Sequence, residues 1–191
     1  MSELFDAEAI EAITRRWMAR VVVGMNLCPF AKAVMVKDQV RIVVSDASTE
    51  DALLHTLGEE LLLLRDTAAT EVDTTLIVHP LVLTDFFDYN DFRARADDLL
   101  DAMALTGDIQ VASFHPDYQF AETALDDASN NTNRAPFPIL HLLREDSVTR
   151  AVAAYPEPDS IIDRNIATMN ALGNDGFNAL MDEIKNDDAS N

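Results

Sequence analysis

The chain contains a single cysteine, Cys28. No internal disulfide can form, and this usage fits a reducing compartment. Cations are scarce, 14 Lys and Arg against 34 acids, for a formal net charge of -20. Covering nucleic-acid phosphates takes Lys and Arg, so this balance argues against general nucleic-acid binding and against docking on an anionic membrane. The acidity reads as a solubility or high-salt trait. No run of about 18 apolar residues occurs, so no transmembrane helix is expected. The stretch MSELFDAEAIEAITRRW begins acidic and lacks an apolar signal core. The expected location is the cytoplasm. Close-spaced metal motifs such as HExxH and CxxC are missing too.

What is there suffices for a core: 191 residues, 48% of them hydrophobic. Asp6 can cap a first helix with Ile10, Ile13, Trp17 and Val21 as its apolar stripe, and Trp17 reads as a core anchor. Pro29 is suited to the first position of a short helix running to about Val36, which would put Cys28 at its N-cap. Gln39–Ser45 reads as a strand. Ser48-Thr49-Glu50-Asp51 opens a long helix to about Arg65. Thr74–Val78 and Ile109–Phe114 are two further strands, with a helix carrying Phe92, Ala96 and Leu100 between them. Pro138–Leu143 reads as a fourth strand. Helices follow it, one of them ending at Gly173.

Strands separated by helices predict an α/β fold: one domain over residues 1–184, with about four strands in a mainly parallel sheet, helices packed on it and a helical C-terminal segment. Residues 185–191 are expected to be a disordered tail. Both TLIVHP and VASFHP end a strand on His-Pro, at His79 and His115. In parallel sheets, ligands sit beyond the carboxyl ends of strands, so both imidazoles are expected at one edge. The long polar loop from His115 to Pro138 carries aromatics, Arg134 and a block of amides. Loops of that length in compact domains are functional or disordered, and this composition argues for function.

One set of motifs stands out: Val22-Val23-Gly24 with Asn26-Leu27-Cys28-Pro29-Phe30, His79-Pro80, Phe114-His115-Pro116 with Tyr118-Gln119-Phe120, Asn133-Arg134 with Pro136, Leu140-His141-Leu142-Leu143-Arg144-Glu145, and Arg164-Asn165-Ile166. In these the chain resembles the uncharacterised bacterial family catalogued as domain of unknown function 1415, from about Trp17 to Gly173. The resemblance implies that the polar motifs form one pattern. It implies no particular activity.

Three chemistries compete for these residues. In the first, His79, His115 and His141 ligate a divalent metal such as zinc, whose open position activates water. The plain alternative is a core His141 and two strand-end caps. In the second, Cys28 is a nucleophile with His115 or His79 as its base. The plain alternative is an inert cysteine. In the third, Arg134 anchors a small anionic or polar substrate, Asn133 and Gln119 add hydrogen bonds and Tyr118 walls the pocket. Turn chemistry accounts for part of the amide cluster. The expected function is an enzyme on a small anionic or polar molecule, with His115, His79 and Cys28 as the catalytic set. A non-catalytic ligand sensor, or an interaction module, is the alternative.

Overall fold

The computed structural model describes residues 6–187. Helix α1, Ala7–Trp17, is capped by Asp6, whose carboxylate accepts from the N–H groups of Glu8 and Ala9. A π-helical stretch, Met18–Val23, continues it. A turn then leads to the short helix α2, Ala31–Val36, and on to strand β1, Val40–Val44. Thr49 caps α3, Glu50–Asp66. Strand β2 is Thr74–Val78. Asp85 caps α4, Phe86–Ala102, and β3 spans Ile109–Phe114. The loop after β3 contains one 3-10 segment, Ala128–Asn133, and ends in β4, Ile139–Arg144. Helix α5, Glu145–Ala154, follows β4 directly, and α6, Ser160–Asn186, closes the chain. Lys185 and Asn186, from the expected tail, belong to α6, whereas residues 188–191 lie outside the described residues.

The sheet order is β1-β2-β4-β3. Here the expectation of a mainly parallel sheet is corrected: only β1 and β2 pair in parallel, while β4 is antiparallel to both β2 and β3. No crossover helix separates β3 from β4, so the chain turns back beside the strand it has just left. β1, β2 and β3 still point the same way, because β2 and β3 both oppose the β4 between them. His79 and His115, each one residue past its strand, therefore emerge at one edge, on either side of the start of β4.

Strand alternation sorts the core into two layers. Ile77, Leu140, Leu142 and Ile109 face α3 and α4. Leu76, Val78 and Ile139 face α1 and α6. Trp17 belongs to the second layer as the core anchor it was expected to be. It is 2% exposed and meets Phe114 edge-on at 5.3 Å. Arg144 closes the sheet end of α3, its guanidinium donating to the carbonyls of Leu64, Thr67 and Val72. No helix among the described residues is long and apolar enough to cross a membrane.

Candidate functional site

The His-Pro ends of β2 and β3 come together over α4. His79 follows Ile77 in alternation and His115 follows Ser113, so both rings lie on the α3/α4 face. Both are fully buried. Tyr89 of α4 lies between them, stacked on His79 at 5.7 Å and tilted against His115 at 5.2 Å. Its hydroxyl donates to the carbonyl of Ile139 at 2.7 Å, tying α4 to the start of β4. Burial pushes that phenol's pKa well above its usual value. Phe86 extends the ring chain to Tyr118 at 5.1 Å, and Tyr118 reaches Phe120 at 5.0 Å.

The hydrogen bonds settle the tautomers. A carbonyl can only accept, so His79 carries its proton on Nδ1 and donates it to Val82 at 3.0 Å. His115 donates Nε2–H to the next carbonyl along, that of Leu83, at 3.2 Å. Its Nδ1 accepts from the backbone N–H of Asp117 at 3.0 Å. The two rings thus clamp consecutive carbonyls of the loop 80–85. They differ in one respect. Both nitrogens of His115 are engaged, whereas Nε2 of His79 is buried with no hydrogen-bond partner in the protein. Burial holds His79 neutral, its pKa pushed down to about 4, against the pull of the Val82 carbonyl. His115 is lowered as well, mainly by burial, although the Leu83 carbonyl, Asp117 and Asp85 act the other way.

His141 does not join them, which corrects the three-imidazole arrangement. It pairs with Leu76 and Ala112 in the sheet, on the face covered by α1 and α6. The alternation of β4 forces this, since Leu140 and Leu142 occupy the other face. Its Nε2–H donates to Thr74 at 2.7 Å, and Thr74 donates onward to the Leu142 carbonyl. Burial pushes its pKa down to about 4. No cluster of three His, Cys, Asp or Glu suited to a metal occurs among the described residues.

Cys28 is also set apart. Helix α2 begins at Ala31 rather than behind Pro29, so Cys28 does not cap it. The Cys28 carbonyl accepts from the Ala31 N–H as part of a turn. That turn is held from α6: Arg164 donates to the Asn26 carbonyl and Asn165 to the Leu27 carbonyl. Leu27 belongs to the α1/α6 layer. Cys28 makes no hydrogen bond or ring contact with His79 or His115.

Arg134 has the structural duty that its sequence context did not reveal. Its guanidinium donates to the carbonyls of Tyr118 and Leu125 and to the Asn131 side chain, at 3.2, 2.9 and 3.1 Å. Burial lowers its pKa, with Asp117 partly offsetting this. The amides complete the loop. Buried Asn130 accepts from the Phe120 N–H and the Thr123 hydroxyl and donates to Ala124. Gln119 donates to the Thr123 carbonyl. Asn133 donates to the Ser113 carbonyl, and its own carbonyl accepts from the His115 N–H. Asn131 donates to Asn174, which in turn donates to the Asp126 carbonyl. The loop is therefore ordered by its own polar side chains.

Sequence reasoning missed Tyr89, Phe86 and the Val82 and Leu83 carbonyls. Phe86 and Tyr89 are three residues apart just behind the Asp85 cap, and that spacing was a usable signal. The carbonyls left none.

Fold and site together define an α/β domain with a buried imidazole–aromatic cluster at one sheet edge. The chain belongs to the family described as "Protein of unknown function (DUF1415)", whose model matches residues 9–179. No curated protein and no solved structure matches the chain.

Proposed function

We propose that the protein is a cytoplasmic enzyme acting on a small polar molecule at the edge formed by His79 and His115, with His79 as the proton acceptor. One observation carries this reading: the buried, unpartnered Nε2 of a His79 whose tautomer is fixed by Val82. A buried polar atom without a partner is costly; Trp17, Thr75 and Asn165 keep one too, but only that of His79 is a basic nitrogen able to accept a proton. A neutral imidazole with a free lone pair accepts a proton or a hydrogen bond. His115 is a positioning residue here, since both of its nitrogens are engaged. Arg134 shapes the wall instead of anchoring the substrate. Asp85 and Asp117 act electrostatically on His115. The substrate class favoured is then neutral or cationic, with an N–H or O–H to donate, rather than anionic. The loop 80–85, held through the Val82 and Leu83 carbonyls, borders the site.

Non-catalytic binding is the second reading. The low pKa of His79 favours it, because so weak a base accepts hydrogen bonds well but removes protons poorly at neutral pH.

The test is a panel of small amines, alcohols and amides, screened by melting temperature against wild type and His79→Phe, a ring that keeps the stack on Tyr89. The reading expects compounds that stabilise wild type and not the variant. Product formation from such a compound separates enzyme from binder. Equal stabilisation of both proteins by every binder would sink the proposal.

A further inference from the structure

We propose that the valley between α3 and α4 docks a cationic amphipathic helix of a partner protein. Leu53, Leu57 and Leu61 of α3 are buried against the sheet. One position on, Leu54, Gly58 and Leu62 meet Leu99 of α4 and Met103 just past its end across a groove of about 450 Å³. Leu62 is 41% exposed on its rim. From Asp51 to Leu62 the groove follows about three helical turns, roughly 16 Å, the length of a short docked helix.

Gly58 is the telling residue. It lies inside α3, where glycine is a poor helix former. Nothing in the fold demands it. Its φ is not positive, and a Cβ there would meet only Leu99, at an ordinary 3.8 Å. The missing side chain instead keeps the groove floor low, which is what a close-packed visitor requires.

Charge chooses the visitor. The rim carries Asp51 and Glu59. Arg95 is shared between Glu50 and Asp51, so one cation faces two carboxylates there. Glu59 lies beside His55, at 3.4 Å, and among the described residues no Lys or Arg ion pair to it is seen. A second copy would bring the same carboxylates and another net charge of -20 against this face. A helix with leucine-like residues on one side and lysine or arginine on its flanks satisfies both floor and rim. The groove is independent of the His79 edge.

The test uses a fluorescein-labelled peptide of leucine and lysine, with leucines at i, i+3, i+4 and i+7, and a second peptide with glutamate in place of lysine. Anisotropy is read at physiological salt with the full chain. Wild type is expected to bind the lysine peptide and not the glutamate one. Gly58→Leu, which fills the floor, and Leu62→Lys, which reverses the rim, should each weaken binding by about tenfold or more. Leu62 is exposed, so that variant keeps its fold, and Gly58→Ala checks that α3 tolerates a side chain. Binding unchanged in both variants would reduce the effect to general charge attraction and overturn the proposal, as would no binding to wild type.

Discussion

His115 holds the carbonyl of Leu83, a residue 32 positions earlier, with its Nε2–H at 3.2 Å. Leu83 sits at a φ of 56°, in the left-handed region that a branched side chain enters only under constraint. The adjacent Val82 carbonyl is held by His79. Two strand-end imidazoles thus fix a strained loop over their own rings. The loop conformation and the buried, unpartnered nitrogen of His79 depend on each other.

Replacing His115 by Ala removes both of its hydrogen bonds. We expect a loss of about 2–3 kcal/mol in urea unfolding, from the lost bonds and the unpaired buried carbonyl. Amide exchange should accelerate in residues 80–85 and near Asp117 while the β1–β2 ladder keeps its protection. Uniform acceleration across the chain would show that the clamp is not local.

Arg134 is a loop staple, and its fork geometry matters. Arg134→Ala and Arg134→Lys should both expose the segment between Pro116 and Asn133 to limited proteolysis, because an ammonium cannot reach Tyr118, Leu125 and Asn131 together. Full resistance of the lysine variant would contradict the staple.

Helix α6 is kinked at Gly173, with φ 68° and ψ 171°, a region essentially confined to glycine. The kink lets Asn174 reach Asn131 and the Asp126 carbonyl. Gly173→Ala is expected to cost about 1–3 kcal/mol by thermal or chemical unfolding. A neutral or stabilising result would mean that α6 can run straight without loss.

Acid should weaken the fold through buried imidazoles. His79 and His141 sit at about 4 when folded, against 6.5 for a free imidazole. The unfolded chain therefore binds more protons between those values. Their contribution is complete above pH 6.5 and is lost as pH falls toward 4. It is at most ~3 kcal/mol for His79 and smaller for the more accessible His141. Carboxylates titrate in part of the same range, so the variants carry the test. His79→Phe and His141→Gln should each flatten stability against pH between 6.5 and 4. Slopes identical to wild type would contradict the buried neutral rings.

Periodicity and caps made the elements legible, because they are local signals. The run TLIV, the leucine stripe of α3 and the Gly173 break all act over a few residues. His-Pro at the ends of β2 and β3 correctly put both imidazoles at one edge. Pairing was not legible: β4 lies between β2 and β3, and partner strands leave no mark in the sequence. That insertion, with strict alternation, sends His141 to the far face. Arg134 misled for a related reason. Its acceptors are mostly backbone carbonyls, which every residue carries, so nothing in the sequence distinguishes a staple from an anion anchor. Nor did the motif pattern mark two places: His79, His115 and Arg134 gather at one edge, while Asn26–Phe30 is tied to Arg164 and Asn165.

The most direct measurement is the ring 15N spectrum of His79, recorded from pH 7 to 5 and then with the small-molecule panel. The account predicts a proton on Nδ1, a bare Nε2 that does not titrate in this range, and an Nε2 shift that moves on addition of a hydrogen-bond-donating ligand. A His79 that titrates near 6.5, or an Nε2 that carries the proton, would contradict it.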